Sequence, residues 1–273
     1  MTLYISDLDG TLLTNDAKVS SLSRKLLNES LDNNINFTIA TARTPATVIT
    51  LLDGINFSLP IITMNGAAIY DINKKEYIHT NYINTKLVKK INDLVNNHNM
   101  NAFIYTLKEN HLYIYHKDLA NSAQNEFYYG RNTNPYKTFI NGDLDPNSNV
   151  LHFAILDSKE NIDELYNEVI NIPNLYVVKY KDTYINCYCL EIYDITSSKA
   201  NAIKYLKNLY NFNKLITFGD NVNDIPMFEI SDECYAVENA VPELKKISTR
   251  SIESNTNDAV AKFIHKKIKK MII

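Results

Sequence analysis

The sequence has no tryptophan and only three cysteines, Cys187, Cys189 and Cys234, in 273 residues. An odd number cannot pair fully within one chain, and none of the spacings is that of a disulfide framework. A reduced, cytoplasmic protein is therefore expected. No apolar run approaches the roughly 20 residues needed to cross a bilayer. A basic leader is also missing. The segment Met1 to Gly10 carries two acids and no Lys or Arg, so no signal peptide is expected. Nor is positive charge in excess. Lys and Arg number 28 against 31 Asp and Glu, for a net charge of −3. Without a large positive field, no nucleic-acid or membrane partner is expected. What is present, 45% hydrophobic and 22% charged residues, is the composition of a soluble globular chain. Its length accommodates a core domain plus an inserted one.

Strand and helix patterns alternate at both ends of the chain. Leu3 to Ser6, Asn36 to Ala40 and Leu59 to Met64 read as short buried strands. Ser20 caps a helix to about Asn33, and Pro45 stands where the next helix begins. The rhythm resumes after Ser197, with a helix to about Tyr210, strands at Leu215 to Phe218 and Cys234 to Val237, and a helix from Asn257 to about Lys270. Such alternation predicts an α/β fold around a parallel sheet. The middle differs. Hairpin-like pairs at Ala67 to Tyr70 with Glu76 to Thr80, and at Phe103 to Thr106 with His111 to Tyr115, flank a helix over Asn84 to Asn97. Strands at Val150 to Leu156, Leu175 to Tyr180 and Ile185 to Tyr193 follow, with a helix over Lys159 to Ile170. This block predicts an inserted α+β domain. Arg131 to Asn149, rich in Asn, Pro, Gly and Asp, predicts loops.

Four patches carry chemistry, and three stand at the carboxyl end of a predicted parallel strand, where open α/β sheets bind ligands. The first is Asp7-Leu8-Asp9-Gly10-Thr11. Two carboxylates at i and i+2 on a strand tip need a cation or a shared proton, and Mg²⁺ is the hard, oxygen-seeking ion that suits them. One Asp can attack phosphorus while the other moves a proton. Taken alone, the patch is also an ordinary acidic turn. The second is Thr41-Ala42-Arg43, where a hydroxyl and backbone N–H groups can hold a phosphate oxygen, or simply cap a helix. The third is Lys199, just inside a helix after Thr196-Ser197-Ser198, able to neutralise phosphoryl charge or to sit on the surface. The fourth is Gly219-Asp220-Asn221-Val222-Asn223-Asp224. Asp220 can complete a metal site, with Asn223 or Asp224 pointing back one turn on, or it can be a helix cap.

In this order the four patches resemble the motifs of the haloacid dehalogenase superfamily of phosphohydrolases, across essentially the whole chain. Met64-Asn65-Gly66-Ala67, the long insert after it and Gly219 to Phe228 resemble the Cof-type, IIB branch. The resemblance implies a doubly wound, Rossmann-like parallel-sheet core over residues 1–80 and 194–273, with an α+β cap over 81–193 lying above the site. It implies a Mg²⁺-dependent phosphatase acting on small phosphorylated metabolites, such as sugar phosphates, through an aspartyl-phosphate. Asp7 would be nucleophile and metal ligand, and Asp9 the general acid/base with its backbone carbonyl on the metal. Asp220 would be a third ligand, supported by Asp224. Thr41, Lys199 and Asn223 would hold the phosphoryl group with backbone N–H groups near Leu8 and Ala42. Ala42 and Ala200 stand where the family usually has Gly, which tunes backbone approach to phosphate without removing a reacting group.

Two rival readings share this scaffold. A phosphomutase of the phosphomannomutase kind would pass the phosphoryl group to a second sugar hydroxyl instead of water. A phosphoacceptor or binding module would not turn over at all, which the insert, Asp9 and the Asp220 patch disfavour. Other features read as structural. Cys187 and Cys189 share a strand face as buried thiols. The six histidines (His79, His98, His111, His116, His152, His265) have no zinc spacing. Lys262 to Lys270 is the wet face of a helix packing Phe263, Ile264 and Ile268 inward. The tyrosines of the insert read as strand packing, and Arg131 with its loop is a weak specificity candidate. The sequence carries no signal of oligomeric state.

Overall fold

The computed structural model describes residues 1–182 and 185–271. In chain order its elements are β1 (Thr2–Ser6), α1 (Ser21–Asp32), β2 (Asn36–Ile39), α2 (Pro45–Leu51), β3 (Ile61–Thr63), β4 (Ala68–Asp71), β5 (Glu76–Thr80), α3 (Thr85–Asn97), β6 (Ala102–Lys108), β7 (His111–His116), α4 (Ser122–Tyr129), β8 (Lys137–Asn141), β9 (Val150–Asp157), α5 (Lys159–Val169), β10 (Leu175–Asp182), β11 (Cys187–Asp194), α6 (Lys199–Leu209), β12 (Lys214–Gly219), α7 (Ile225–Glu229), β13 (Glu233–Val237), α8 (Pro242–Ile247), β14 (Arg250–Ile252) and α9 (Ala259–Met271). By its own contacts the chain divides into two units, Met1–His79 with Ser198–Ile273, and Thr80–Ser197.

The first unit is built on a five-stranded sheet in the order β14-β13-β12-β1-β2, parallel throughout. Apart from the exposed edge strand β14, its strands are buried on both faces, which is why they read as continuous apolar runs. Leu3, Ile5, Phe37, Ile39, Leu215 and Phe218 are all fully buried. Each such side chain contributes about 1.5–3 kcal/mol by leaving water. Ser20 caps α1 as its sequence position predicts, accepting from the Ser23 N–H.

The third expected strand takes a double role. β3 continues the parallel sheet only through the isolated bridge Ala40 to Ile62. It then pairs antiparallel with β4, Ile61 opposite Tyr70, in a separate sheet ordered β3-β4-β5. The reason is the turn that follows. Met64 and Asn65 both take positive φ, 53° and 52°, and reverse the chain at once.

The second unit is a six-stranded sheet ordered β10-β11-β9-β6-β7-β8. All its neighbours run antiparallel except the β7–β8 pair. Val88, Ile91 and Val95 of α3 and Ile162, Leu165 and Val169 of α5 share one core with Ile104, Phe153, Ile155, Leu190 and Ile192 of the strands. Contrary to the loops expected over Arg131 to Asn149, β8 lies within that segment, and α4 precedes it. β8 is a sheet-edge strand of five residues whose one buried member is Lys137, too little apolar patterning to announce itself.

On the other face of this sheet His152 lies stacked between Tyr105 and Tyr193, at centroid distances of 4.0 and 4.8 Å. Its Nδ1 is buried with no hydrogen-bond partner. Burial pushes the imidazole pKa down to about 3. The folded chain therefore holds His152 neutral where an unfolded one protonates it near pH 6.5. Stability from this group is complete above that unfolded pKa and is lost as pH falls toward about 3. At pH 5 the loss relative to pH 7 is about 2 kcal/mol. In paired urea titrations at pH 7 and 5, His152→Phe should lose less stability than the parent by about that amount. Equal losses would contradict it.

Candidate active site

The parallel register sets three chain segments side by side. Ser6 lies opposite both Phe218 and Ile39, so Asp7, Thr41 and Asp220 leave the sheet at the same edge. The Asp7 N–H donates to the Phe218 carbonyl at 2.9 Å, and the Ala40 N–H to the Ser6 carbonyl at 2.9 Å. Lys199 is the first residue of α6, whose cap Ser198 accepts from the Asn201 N–H. Its Nζ lies 2.5 Å from Asp7 Oδ1 and 2.7 Å from Asp224 Oδ1. All three side chains are buried, with Lys199 only 2% exposed.

Asp7, Asp220 and Asp224 each offer a carboxylate oxygen within 4.8 Å of the others. Burial raises Asp7 well above the usual carboxylate range. The Lys199 charge pulls it down, and those of Asp224 and Asp220 push it up again. Burial and then Asp224 lift Asp220 to about 7, against a lowering hydrogen bond from Thr11. For Lys199, burial alone would lower the pKa, but Asp224 and Asp7 outweigh it and hold the ammonium above its ordinary value. Ionising all three carboxylates beside one ammonium would leave two formal negative charges in excess, which is the repulsion that, after burial, raises Asp7 and Asp220.

Backbone conformation makes this crowding possible. Gly10 has φ +73°, and a Cβ there would stand 2.4 Å from Asp220 Oδ2. Gly66, at φ +92°, approaches so closely that a Cβ would meet the Ser198 carbonyl oxygen at 2.2 Å. The turn before it is tied to the Thr41 segment. The Met64 N–H donates to the Arg43 carbonyl and the Asn65 N–H to the Thr41 carbonyl, each at 3.0 Å. Met64-Asn65-Gly66 thus brackets the Thr41 segment on one side and the start of α6 on the other. Two non-glycine residues in the left-handed region persist because these bonds over-determine them.

The remaining sequence-selected residues fall around this centre. Thr41 is buried and its Oγ1 accepts from the Arg43 N–H at 3.1 Å. Ala42 is exposed and Leu8 fully buried, the Leu8 carbonyl accepting from the Leu12 and Leu13 N–H groups. Asn223 lies on the 3-10 turn Val222–Asp224. Asp224 is wholly buried. Besides Lys199 it receives the Asp220 N–H at 3.0 Å and the Asn221 N–H at 3.2 Å on Oδ2, and so fixes the loop that carries Asp220.

Sequence reasoning missed three partners. Arg43 holds the Asp9 carboxylate through two hydrogen bonds, Nε at 2.7 Å and the second guanidinium nitrogen at 2.6 Å. Thr11 Oγ1 donates to Asp220 Oδ1 at 2.9 Å, and Asn239 Nδ2 to the Gly10 carbonyl at 2.7 Å. The available signals were a cation directly after Thr41-Ala42 and a hydroxyl ending the Asp-x-Asp-Gly-Thr run. Asn239 offered none.

A family model for haloacid dehalogenase-like hydrolases matches residues 4–264. A Bacillus subtilis protein named 5-amino-6-(5-phospho-D-ribitylamino)uracil phosphatase is 28% identical over 282 residues, covering 94% of this chain and 95% of its own. A provisionally named phosphatase of Buchnera aphidicola is 28% identical over 280 residues, covering 97% of each chain. Among solved structures, one described as a subclass IIB sugar phosphatase of the superfamily superposes with a TM-score of 0.75 at 18% identity, over 98% of this chain and all of that one. The chain belongs to the haloacid dehalogenase-like hydrolase family. It is an enzyme of the hydrolase class, with homologues named as phosphatases.

Proposed function

We propose that the chain is a Mg²⁺-dependent phosphatase that hydrolyses small phosphorylated metabolites, such as sugar phosphates, through an aspartyl-phosphate on Asp7. The observation that carries this is the buried convergence of Asp7, Asp220 and Asp224 on one another with the Lys199 ammonium among them. The relatives' names and the family support the substrate class.

The donor set fits a hard divalent cation. It consists of carboxylate oxygens gathered within reach of one another, and neither sulfur nor imidazole contributes. Asp7 and Asp220 would hold Mg²⁺ with the Asp9 backbone carbonyl, and Asp224 would support them. Bound there, the ion would offset charge on the phosphoryl oxygens.

Asp7 attacks phosphorus, forming its Oδ–P bond as the ester P–O bond breaks. Asp9, once protonated, gives its proton to the leaving oxygen, and its carboxylate then takes a proton from the water that attacks the acyl-phosphate. Lys199 keeps Asp7 aimed and neutralises charge, while Thr41, Asn223 and the N–H groups near Leu8 and Ala42 bind phosphoryl oxygens. All three cysteines are free and buried, which supports a reducing, cytoplasmic setting. Among the described residues no helix is long and apolar enough to cross a membrane.

The test uses p-nitrophenyl phosphate and acetyl phosphate with the purified chain. Activity should vanish in chelator and return with Mg²⁺. Acid-quenched enzyme should carry phosphate on the peptide that contains Asp7. Undiminished turnover in chelator, or label on another residue, would overturn the reading.

A further inference from the structure

The loop after β13 leaves the sheet at the same edge as the clustered acids. Gly219 pairs with Ala236 in the parallel register of β12 and β13, so residues 238–241 emerge beside Asp220. Two of them bond to segments that carry the site. The Val241 N–H donates to the Asp220 carbonyl at 2.8 Å. Asn239 Nδ2 donates to the Gly10 carbonyl at 2.7 Å, in the run that carries Asp7 and Asp9.

The Asn239 amide has a fixed sense. Its Oδ1 accepts from the Asn255 N–H at 3.1 Å and from the Ser254 hydroxyl at 3.4 Å. A backbone N–H only donates and a carbonyl only accepts, so the oxygen must face Asn255 and the nitrogen Gly10. Asn255 is buried, and its own Nδ2 donates to the Leu13 carbonyl at 2.8 Å. The stretch from Gly10 to Leu13 is thus held at both ends by two asparagines that bond to each other.

The Asp220 carboxylate is what this stretch shapes. Gly10 lies so close to Asp220 Oδ2 that a Cβ would not fit, and the Thr11 hydroxyl donates to Asp220 Oδ1 at 2.9 Å. The Gly10 carbonyl belongs to the peptide that joins these two residues. Its direction sets where the Gly10 carbon and the Thr11 hydroxyl stand, and so where both Asp220 oxygens point. Glycine is the residue with the most backbone freedom to lose, and the bond from Asn239 removes it here. Asn239 is itself exposed, so it does not act by filling the core.

We propose, resting on the metal reading of Asp7 and Asp220, that Asn239 is a positioning residue for the metal site. Through the Gly10–Thr11 peptide it holds the Asp220 carboxylate in place to take a divalent cation. Calorimetric titration of the full, metal-free chain with Mg²⁺ tests this. Asn239→Ala should weaken Mg²⁺ binding about fivefold or more, the worth of one hydrogen bond. Asn28→Ala is the matched control. Asn28 Nδ2 donates to the Gly54 carbonyl at 2.8 Å and its Oδ1 accepts from the Asn56 N–H at 3.0 Å, the same two-ended pattern outside the site. Both variants should lower the urea midpoint, but only Asn239→Ala should change Mg²⁺ affinity. Thr11→Val should weaken Mg²⁺ as well, and adding Asn239→Ala to it should cost less than in the parent. Parent-like Mg²⁺ affinity in Asn239→Ala, an equal loss in Asn28→Ala, or full additivity with Thr11→Val would each overturn the role of Asn239 and leave the metal reading standing. A parent that binds no Mg²⁺ would overturn both.

Discussion

Asp7→Asn is expected to fold normally and to hydrolyse p-nitrophenyl phosphate at least 10⁴-fold more slowly than the parent, the scale of loss when a nucleophile is removed. The amide matches the carboxylate in shape but cannot form the acyl-phosphate. It also removes one of three mutually repelling carboxylates. Asp224 and Asp220 both push the Asp7 pKa upward, so removing its charge relieves them, and Lys199 still keeps Asp224 at 2.7 Å. The urea midpoint should therefore not fall. Steady-state rates and urea titrations on the same preparation check both halves. Retention of more than a few per cent of activity would sink the nucleophile assignment.

Lys199→Met should damage stability and rate together. The ammonium is nearly inaccessible and touches two carboxylates that are also buried. Removing one partner of a buried ion pair leaves an uncompensated charge and costs about 3–5 kcal/mol. The loss of a charge aimed at the proposed nucleophile should lower kcat by about 10²–10³-fold. The same substitution made in Asp7→Asn should cost measurably less stability, because one of the stranded charges is already gone. A stability change below about 1 kcal/mol in the parent background would show that Lys199 is not the neutralising partner described.

What could be read in advance was what depends on strand tips. Asp7, Thr41 and Asp220 each follow a buried apolar run, and a parallel sheet aligns such ends by construction. Lys199 was readable because α6 starts at a capping serine. Pairings that depend on side-chain reach were hidden. The Arg43 grip on Asp9 joins residues 34 apart, and Thr11 reaches Asp220 across 209. The double use of β3 was hidden as well, since two left-handed residues decide it and neither is glycine. In the second unit, β8 pairs along an edge with little apolar pattern, so tertiary contact and not local propensity makes it a strand.

The register of β1 also has a consequence for biosynthesis. The Met1 ammonium bonds to Asn213, 212 residues away, and β1 pairs with β12 from Thr2 opposite Lys214 onward. At about 5–20 residues per second of translation, one edge of β1 stays unpaired for about 10–40 seconds after it is made. The β2 side can close early and the whole second unit can finish in the interval. Lys199 and Asp220, however, emerge only near the end. A ribosome-bound chain shorter than this carries Asp7 without its cation or its neighbouring acids. The buried cluster of Asp7, Lys199, Asp220 and Asp224 is therefore complete only after residue 224 has been made, and until then the nascent chain holds an open sheet edge for chaperones to guard.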